Sequence, residues 1–305
     1  MKPLVSVIIP TYNRATTIGR TIESMLLQTY PDFEIVVVDD GSKDDTMSLL
    51  ENFRDERLRI IRHEVNKGVT AAKNTGLNNI KGSWFTILDS DDEIVPTALE
   101  AMMRVPLEID ATVNAVSCNC IDTSTGGFSG KGIESDQYVD FKTLINGCSG
   151  EYWGLTKTEL LQNDRFNERL GGYESTLWFK INERAKRYYV HQALRIYHTE
   201  GDDRVSKIAP SIEKMSKHYQ VLSEEIHYLE VLRKYLPDTF ANLCLRAVMY
   251  LLADKKKEQA RFYYNYLKKA EGYRMYKMIS VFVYHSNAFL AKCCINFLTM
   301  TKIIK

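Results

Sequence analysis

Apolar strand-type runs alternate with helix-type segments through the first 100 residues, and this alternation constrains the fold more than any other feature. The strand-type runs are rich in β-branched residues, and the segments between them carry apolar residues at three- and four-residue intervals. Apolar strands separated by helices form parallel sheets that are covered on both faces. The sequence therefore predicts an α/β fold with a mostly parallel sheet flanked by helices. The predicted elements, strand and helix in turn, are 4–9, 16–28, 33–38, 45–54, 58–62, 70–79 and 84–88.

The next hundred residues show a mixed pattern. Strands are expected near 111–118 and at 188–196, with a helix at 177–187 between them. A Gly/Ser/Thr-rich stretch at 123–132 predicts a loop. This part of the chain therefore adds further strands and helices to the α/β domain.

A helical region follows, because only helical spacing remains from about residue 208 onward. We expect a domain at 1–208, made of a half at 1–100 and a half at 101–208, and a helical C-terminal region at 209–305. The expected helices of that region are 211–236, 240–253, 256–270 and 273–300.

Composition excludes several classes of protein. The formal net charge of +1 argues against a nucleic-acid-binding protein held by overall charge. The six cysteines include no C-x-x-C pair, so we expect free thiols in a reducing compartment. The first residues read as a strand and not as a secretion signal, and no apolar run approaches the roughly 20 residues needed to span a bilayer. The expected location is cytoplasmic.

Polar clusters stand where three of the predicted strands end. They are Pro10-Thr11-Tyr12-Asn13-Arg14, Asp39-Asp40-Gly41-Ser42 and Asp89-Ser90-Asp91-Asp92-Glu93. In parallel sheets, ligands bind beyond the carboxyl ends of the strands. We therefore expect the three clusters to line one cleft.

The third cluster holds four carboxylates in five residues, which repel one another unless a cation or hydrogen-bond donors stand against them. Carboxylates suit Mg²⁺ or Mn²⁺, which bind through one or two carboxylates together with substrate phosphates. The alternative is that Asp89 caps the next helix and that the other carboxylates are solvated. The chain lacks the P-loop and G-x-G-x-x-G motifs, but Lys67 and Lys73 near a loop-to-helix start could face an anionic ligand.

Four motifs then resemble a known family in order and spacing: "VSVIIPTYNR", "EIVVVDDGSKDDT", "NKGVTAAKNTGL" and "KGSWFTILDSDD". They look like the nucleotide-sugar-binding half of family 2 glycosyltransferases, over about residues 4–100 and more loosely over 150–206. The resemblance implies the A-type glycosyltransferase fold, a Rossmann-like sheet, and inverting sugar transfer from a nucleotide sugar.

The resemblance also implies roles for individual residues. Thr11 and Tyr12 match positions that contact the base, and Asp40 matches the carboxylate that accepts from the uracil N3–H. Lys73 matches a basic residue that is often Arg, and Asp89 matches the first Asp of D-x-D, near the ribose and donor sugar. The metal ligands implied are Asp91 and Asp92, with His198 as a further candidate. The implied nucleotide-sugar-binding residues are Pro10, Thr11, Tyr12, Arg14, Asp40, Lys67, Lys73, Asp89, Ser90 and Arg204.

An inverting transfer needs a base that deprotonates the acceptor hydroxyl. Family members usually carry this base as the Asp of E-D-x-x-L-W, whereas this chain has "GGYESTLWFKI", with Glu174 at the base position and Tyr173 at the usual Glu. The departure leaves open that Glu174 only favours a helix N-terminus. Glu151 and Asp164 are the fallback bases.

The segment "IYHTEGDDRVS" at 196–206 resembles a family segment that closes over the donor phosphates. The resemblance therefore makes His198 a metal or phosphate ligand and Arg204 a phosphate contact. A His after an apolar strand is as often structural. A closing segment would exclude water, which otherwise hydrolyses the donor.

The C-terminal region differs from the body in charge, with eleven Lys/Arg against two Asp/Glu in 255–305. Its last predicted helix carries one continuous apolar stripe, Met275, Met278, Ile279, Phe282, Val283, Phe289, Leu290, Cys293, Phe297 and Leu298. The stripe indicates either packing against the body or a second subunit, in a homodimer, or an amphipathic helix on an anionic membrane.

Together these features predict an inverting glycosyltransferase. It would move a hexose or N-acetylhexosamine from a UDP-sugar to a saccharide acceptor in bacterial surface polysaccharide synthesis, with Mn²⁺ or Mg²⁺ as cofactor. The resemblance favours a lipid-linked acceptor and therefore a position on the inner face of the cell membrane. The alternatives are a sugar-nucleotide pyrophosphorylase, whose Gly-rich N-terminal loop is absent here, and a non-catalytic nucleotide- or saccharide-binding module.

Overall fold

The computed structural model describes residues 4–199, 211–269, 274–286 and 288–300. The chain divides into two compact units, Met1–Asp202 and Asp203–Lys305. The predicted domain boundary near residue 208 lies outside the described residues. The first unit is a sheet with helices, and the second unit is helical.

One mixed sheet forms the first unit, and its strand order is β3-β2-β1-β4-β8-β6-β9-β5, with β7 beside β9. The predicted alternation is borne out in residues 5–87, where β1, β2, β3 and β4 are parallel to one another. The strands are β1 (Val5–Thr11), β2 (Phe33–Asp39), β3 (Leu58–Arg62), β4 (Trp84–Ile87), β5 (Glu93–Ile94), β6 (Ala115–Asp122), β7 (Gln137–Val139), β8 (Tyr152–Lys157) and β9 (Arg187–Tyr197).

Helices cover this sheet because their apolar residues recur along one side. Ile18, Ile22 and Met25 of the first helix are fully buried against the strands. Gly76 lies where a helix crosses β1 so closely that a Cβ would come within 2.3 Å of Ile8. The helices are α1 (Ile18–Leu26), α2 (Thr46–Leu50), α3 (Val69–Leu77), α4 (Ala98–Arg104), α5 (Phe141–Gly147) and α6 (Ser175–Arg184).

The second half of the sheet is more antiparallel than the sequence predicts. β8 is inserted between β4 and β6 and is antiparallel to both strands. β5 and β7 pair antiparallel with β9, whereas β6 and β9 are parallel. The apolar-run criterion missed β5 and β7 because they have only two and three residues. It also missed β8, because half-exposed residues at Tyr152 and Gly154 interrupt its buried positions.

The second unit contains six helices within its described residues. Pro237 begins one of them, since its missing N–H and fixed φ suit the first helical position. Two predicted helices are each divided in the structure: 211–236 becomes α7 and α8, and 273–300 becomes α11 and α12. The six are α7 (Ile212–Leu222), α8 (Ile226–Tyr235), α9 (Pro237–Ala253), α10 (Lys257–Lys269), α11 (Arg274–Tyr284) and α12 (Ala288–Met300).

The division of the last helix breaks the predicted apolar stripe. Val283 is fully buried, but Met278, Phe282 and Phe289 are 73%, 62% and 72% exposed. The prediction of one continuous stripe is therefore wrong: part of it packs inside the unit and part faces outward. Across the described residues, every helix is too short or too polar to cross a membrane.

Candidate active site

The three polar clusters at strand ends lie together, as predicted. Thr11 pairs in register with Asp39, and the Asp40 N–H donates to the Thr11 carbonyl at 2.8 Å. Thr17, just before α1, donates through Oγ1 to the Ser90 carbonyl at 3.1 Å. These contacts join the ends of β1, β2 and β4 at one edge of the sheet.

Asp40 is buried among three hydrogen-bond donors. His63 Nδ1 lies 2.7 Å from Asp40 Oδ1, and the backbone N–H groups of Lys67 and Gly68 donate to the same carboxylate at 2.9 and 2.7 Å. Gly68 has a φ of 96°, a backbone conformation that favours glycine. A carboxylate accepts about four hydrogen bonds. Asp40 is thus held in place with capacity for one more donor, as recognition of a base requires.

The first cluster presents one buried and one exposed side chain. Pro10 and Thr11 are buried, whereas Tyr12 is 37% exposed. Thr11 Oγ1 has no hydrogen-bond partner among the described residues. Buried hydroxyl groups are normally paired, so Thr11 has a polar atom to offer to a ligand. The Lys67 side chain is exposed at the neighbouring loop.

Arg195 organises the acid cluster. Its guanidinium donates to Asp89 Oδ2 at 2.6 Å and, through Nε, to Asp92 Oδ2 at 2.7 Å. The backbone N–H of His198 donates to Asp92 Oδ1 at 2.8 Å. Asp92 is fully buried, while the side chain of Asp89 is 48% exposed. Much of the like-charge repulsion in the acidic run is therefore offset by a cation from β9.

Burial and the neighbouring opposite charge shift the pKa values of Arg195 and Asp92 in opposite directions. Burial works against the charged guanidinium, but Asp89 and Asp92 outweigh it and hold the pKa of Arg195 above its usual range. Burial raises the pKa of Asp92, and Arg195 and the His198 N–H offset this only in part. Arg195 is a site residue that sequence reasoning missed. No sequence motif marks it, because its place in the site follows from the β5 and β9 register, in which Ile94 pairs with Arg195.

Asp91 is a second exposed carboxylate of the cluster and, unlike Asp89, makes no close contact with Arg195. Its side chain is 41% exposed and lies 3.9 Å from Arg14 Nε. Its carbonyl accepts from Arg20 Nε at 3.1 Å, which fixes the loop. Both oxygens of Asp92 are already engaged, so the geometry favours Asp91 and Asp89 over Asp92 for an added cation. The prediction that Asp92 is a metal ligand stays a prediction.

The donor set fits a hard divalent cation only in part. Oxygen atoms of two exposed carboxylates are what Mg²⁺ and Mn²⁺ use when phosphates complete their coordination. In the part of the chain that the structure describes, no three His, Cys, Asp or Glu side chains form a ready metal site. His198 Nε2 lies 2.8 Å from Glu93 Oε1, which occupies that nitrogen. Arg204 lies outside the described residues.

Glu174 lies at the N-cap position of α6 and meets Lys73 of α3. Lys73 Nζ donates to both carboxylate oxygens of Glu174 at 2.7 Å. The Lys73 side chain is 9% exposed and the Glu174 side chain is 30% exposed. The predicted base and the predicted donor-binding cation are therefore an ion pair that joins the two halves of the unit.

A cavity of about 320 Å³ lies beside this ion pair, near the lower end of the roughly 300–1,000 Å³ of small-molecule sites. Thr86 lines it, and the Thr86 Oγ1 atom has no hydrogen-bond partner among the described residues. Of the fallback bases, Glu151 lines the cavity, whereas Asp164 is held by Arg184 at 2.6 Å. Other residues that line the cavity include Asp89, Trp178, Asn182, Arg187 and Arg195.

Comparison with known proteins identifies the family. A family model described as "Glycosyl transferase family 2" matches residues 6–168. The chain belongs to glycosyl transferase family 2. The family 2 assignment also favours a glycosyltransferase over the pyrophosphorylase alternative. The sequence prediction of a family 2 glycosyltransferase is confirmed.

Several curated relatives are similar to part of this chain. A GalNAc(5)-diNAcBac-PP-undecaprenol beta-1,3-glucosyltransferase of Campylobacter jejuni is 38% identical over 212 residues, or 67% of each chain. Glycosyltransferase GlyG of Streptococcus pneumoniae is 36% identical over 55% of this chain and 60% of that protein. The Escherichia coli enzyme WfgD, a UDP-Glc:alpha-D-GlcNAc-diphosphoundecaprenol beta-1,3-glucosyltransferase, is 32% identical over 48% of this chain and 56% of its own length.

Solved structures support the fold. Residues 1–349 of S. aureus TarS, in complex with UDP-GlcNAc, superpose with a TM-score of 0.65 at 21% identity, over 91% of both chains. The mannosyltransferase PcManGT of Pyrobaculum calidifontis, in complex with GDP-Man and Mn²⁺, gives 0.51 at 21% identity, over 93% of this chain and 85% of that one. These likenesses confirm the predicted A-type glycosyltransferase fold and carry no conclusion about substrates.

Proposed function

We propose that this glycosyltransferase moves a hexose or N-acetylhexosamine, with inversion, from a UDP-sugar to a lipid-linked saccharide in bacterial surface polysaccharide synthesis. The observation that carries the proposal is the contact of Lys73 with Glu174 beside a cavity that Asp89 also lines. The printed names of the Campylobacter and WfgD relatives, which include undecaprenol-linked glucosyl transfer, support this substrate class. The UDP-GlcNAc in the TarS complex supports the donor class.

The uridine binds at the ends of β1 and β2. Asp40 accepts from the uracil N3–H, because it is fixed by His63 and two backbone N–H groups and has capacity for a further donor. Thr11 Oγ1 supplies a second polar contact, and Tyr12 offers an exposed ring to the base. These assignments follow the family motif and agree with the burial of each residue.

The diphosphate lies toward Asp89 and Asp91. When bound, a divalent cation at these carboxylates supplies positive charge opposite the charge that develops on the leaving diphosphate. Arg14, which lies 3.9 Å from Asp91, adds a cation at the same edge. Arg195 holds Asp89 in position through its 2.6 Å contact.

Glu174 acts as the base. Its carboxylate takes the proton of the acceptor hydroxyl while the oxygen attacks the anomeric carbon and the bond to the diphosphate breaks. Lys73 donates to both carboxylate oxygens in the structure, and this ion pair must loosen before Glu174 can turn to the acceptor hydroxyl. The anionic donor competes for the Lys73 ammonium, so donor binding frees Glu174.

The second unit contributes attachment to the membrane that carries the acceptor. Met278, Phe282 and Phe289 are exposed apolar residues in a region with eleven basic and two acidic residues. An amphipathic surface of this kind binds where anionic lipid attracts the basic groups and the apolar side chains insert. Dimerisation through the same residues is the competing explanation.

The experiment is a thermal-unfolding screen of the intact protein with UDP-sugars, GDP-sugars and free sugars, each with Mn²⁺ or with EDTA. A ligand that binds only the native state raises its stability by RT ln(1 + [L]/Kd). We expect stabilisation by UDP-sugars with Mn²⁺, followed by release of UDP over time. Binding without any UDP release, even with added saccharides, would support the non-catalytic module. No response to any uridine nucleotide would contradict the proposal.

A further inference from the structure

The cavity over β4, β8, β6 and β9 has two ends that differ in charge pairing. Arg195 pairs in register with Cys120 and Arg187 pairs with Ala115, so the two arginine backbones are five positions apart along β6. At about 3.3 Å per residue, this is roughly 17 Å. At the Arg195 end, Asp89 and Asp92 neutralise the guanidinium. At the Arg187 end, the guanidinium contacts a neutral acceptor and no carboxylate among the described residues.

Arg187 lines the cavity without a carboxylate partner in the described part of the chain. Its Nη2 donates to Asn182 Oδ1 at 2.6 Å, a neutral acceptor. Burial lowers the pKa of Arg187 to about 10, which still leaves the group charged near neutral pH. The Arg187 side chain is half-buried, and an ion that is partly withdrawn from water is stabilised when an opposite charge approaches it. A guanidinium has five N–H donors, so an incoming anion finds donors available.

The position of Arg187 relative to the reacting end follows from α6. Glu174, Trp178 and Asn182 are four residues apart, lie on one face of the helix and all line the cavity. Eight residues at 1.5 Å per residue separate Glu174 from Asn182 by roughly 12 Å. Asn182 accepts a hydrogen bond from Arg187. The Arg187 guanidinium, which has no carboxylate partner among the described residues, therefore lies roughly 12 Å along α6 from the predicted base.

We infer that Arg187 binds an oxyanion of the acceptor, either a phosphate or a sugar carboxylate, in a subsite roughly 12 Å along α6 from Glu174. The planar guanidinium fork fits both groups in bidentate geometry. The donor diphosphate lies at the other end of the cavity, so the anion belongs to the second substrate. The inference rests on the proposed function because it takes Glu174 as the reacting end.

The other unpaired charge lining the cavity is remote from this subsite. Glu151 has no cation partner among the described residues, and it precedes Tyr152, which pairs with Asn119. Asn119 is four positions along β6 from Ala115, the partner of Arg187, or roughly 13 Å at the strand rise. Repulsion from Glu151 therefore does not offset attraction to Arg187.

The test compares three small probes: N-acetylglucosamine 1-phosphate, methyl glucuronide and neutral methyl glucoside. Their affinities are measured calorimetrically for the full chain, with and without UDP and Mn²⁺. We expect at least one anionic probe to bind about tenfold or more tightly than methyl glucoside, the value of one charge-assisted contact. The preferred probe tells a phosphate-bearing acceptor from an acidic saccharide.

Arg187→Gln should abolish this preference, Arg187→Lys should retain part of it, and Lys186→Gln should leave it intact. Lys186 is the matched control because it is exposed, adjacent and paired with Asp110 outside the cavity. If Arg187→Gln does not fold, Asn182→Ala, which frees the same guanidinium from its partner, should change the preference instead. Equal binding of charged and neutral probes, or an equal loss in Lys186→Gln, overturns the inference. If the proposed function itself is wrong, the calorimetric titrations should show no binding of UDP, which distinguishes that outcome from failure of the Arg187 inference.

Discussion

The two halves of the first unit position their site residues in different ways. In the first half, Asp40 follows its strand directly and is held by the backbone of a loop 27 and 28 residues away. In the second half, Arg195 reaches Asp92 across 103 residues and Glu174 reaches Lys73 across 101. The first half can therefore be recognised from short motifs, whereas the second depends on the register of β9 and the placement of α6.

The two halves therefore contribute different groups to the candidate active site. The first half supplies hydrogen-bonding groups for a nucleotide, most of them fixed before a ligand arrives. The second half supplies the predicted base and the cation that organises the acid cluster. Because two of the contacts between the halves are ion pairs of site residues, Arg195 with Asp92 and Lys73 with Glu174, substitutions there should affect catalysis or stability strongly, and those at exposed positions should have smaller effects.

The largest effect is expected for Glu174→Gln. The substitution keeps the shape of the side chain but removes its basicity, so kcat should fall by about 10² to 10⁴, the usual contribution of a general base. UDP-sugar affinity, measured by calorimetry, should not fall, because the neutral Gln no longer competes with the donor for Lys73. Glu183→Gln, an exposed position on the same helix, is the control. Near-normal turnover in Glu174→Gln would move the base to Glu151.

The second effect concerns the buried pair of Arg195 with Asp92. Arg195→Met leaves Asp92 buried without its cation, which should lower the free energy of unfolding by roughly 3–5 kcal/mol. Arg104→Met is the matched control, because Arg104 forms an exposed pair with Glu108 and should cost less than about 1 kcal/mol. Urea unfolding measures both variants. Equal losses would mean that Arg195 does not organise the cluster.

The third prediction compares Asp91 with Asp92 in the acid cluster. Asp91→Asn should reduce Mn²⁺-dependent UDP affinity by about tenfold or more, since even outer-shell partners of metal ligands contribute 10–100-fold. Asp92→Asn should mainly reduce stability, because both oxygens of Asp92 are engaged inside the protein. Titration of UDP with Mn²⁺ and with EDTA distinguishes the two. UDP binding that is equally tight in EDTA would contradict a metal at Asp91.

The smallest effect is expected in the second unit. The double substitution Phe282→Ser and Phe289→Ser should reduce binding to anionic vesicles severalfold without changing turnover of a soluble acceptor. Basic residues near an anionic surface contribute about 1 kcal/mol each and are screened by salt. Co-sedimentation at two salt concentrations measures this. A change in oligomeric state with no change in vesicle binding would favour the dimer explanation.

The sequence predicts the first half of the fold well and the second half less well, for physical reasons. Val36, Val37 and Val38 form an apolar run that belongs only in a strand buried on both faces. β8 offers no such run, because half-exposed residues interrupt its buried positions. Arg195 had no motif to mark it, since its role arises from pairing with β5. Glu174 was recognisable through Leu177 and Trp178, but its ion pair with Lys73 was not.

The central claim, inverting transfer from a UDP-sugar at this cavity, is tested most directly by the stereochemistry of slow donor hydrolysis. Water replaces the acceptor in this reaction, so the acceptor need not be known. Intact protein is incubated with UDP-α-D-glucose or UDP-α-D-N-acetylglucosamine and Mn²⁺, and the first-formed sugar is observed by proton NMR before it equilibrates. The β-anomer should appear first with wild type and should be nearly absent with Glu174→Gln. Initial release of the α-anomer, or equal release by the Glu174 variant, would contradict the account.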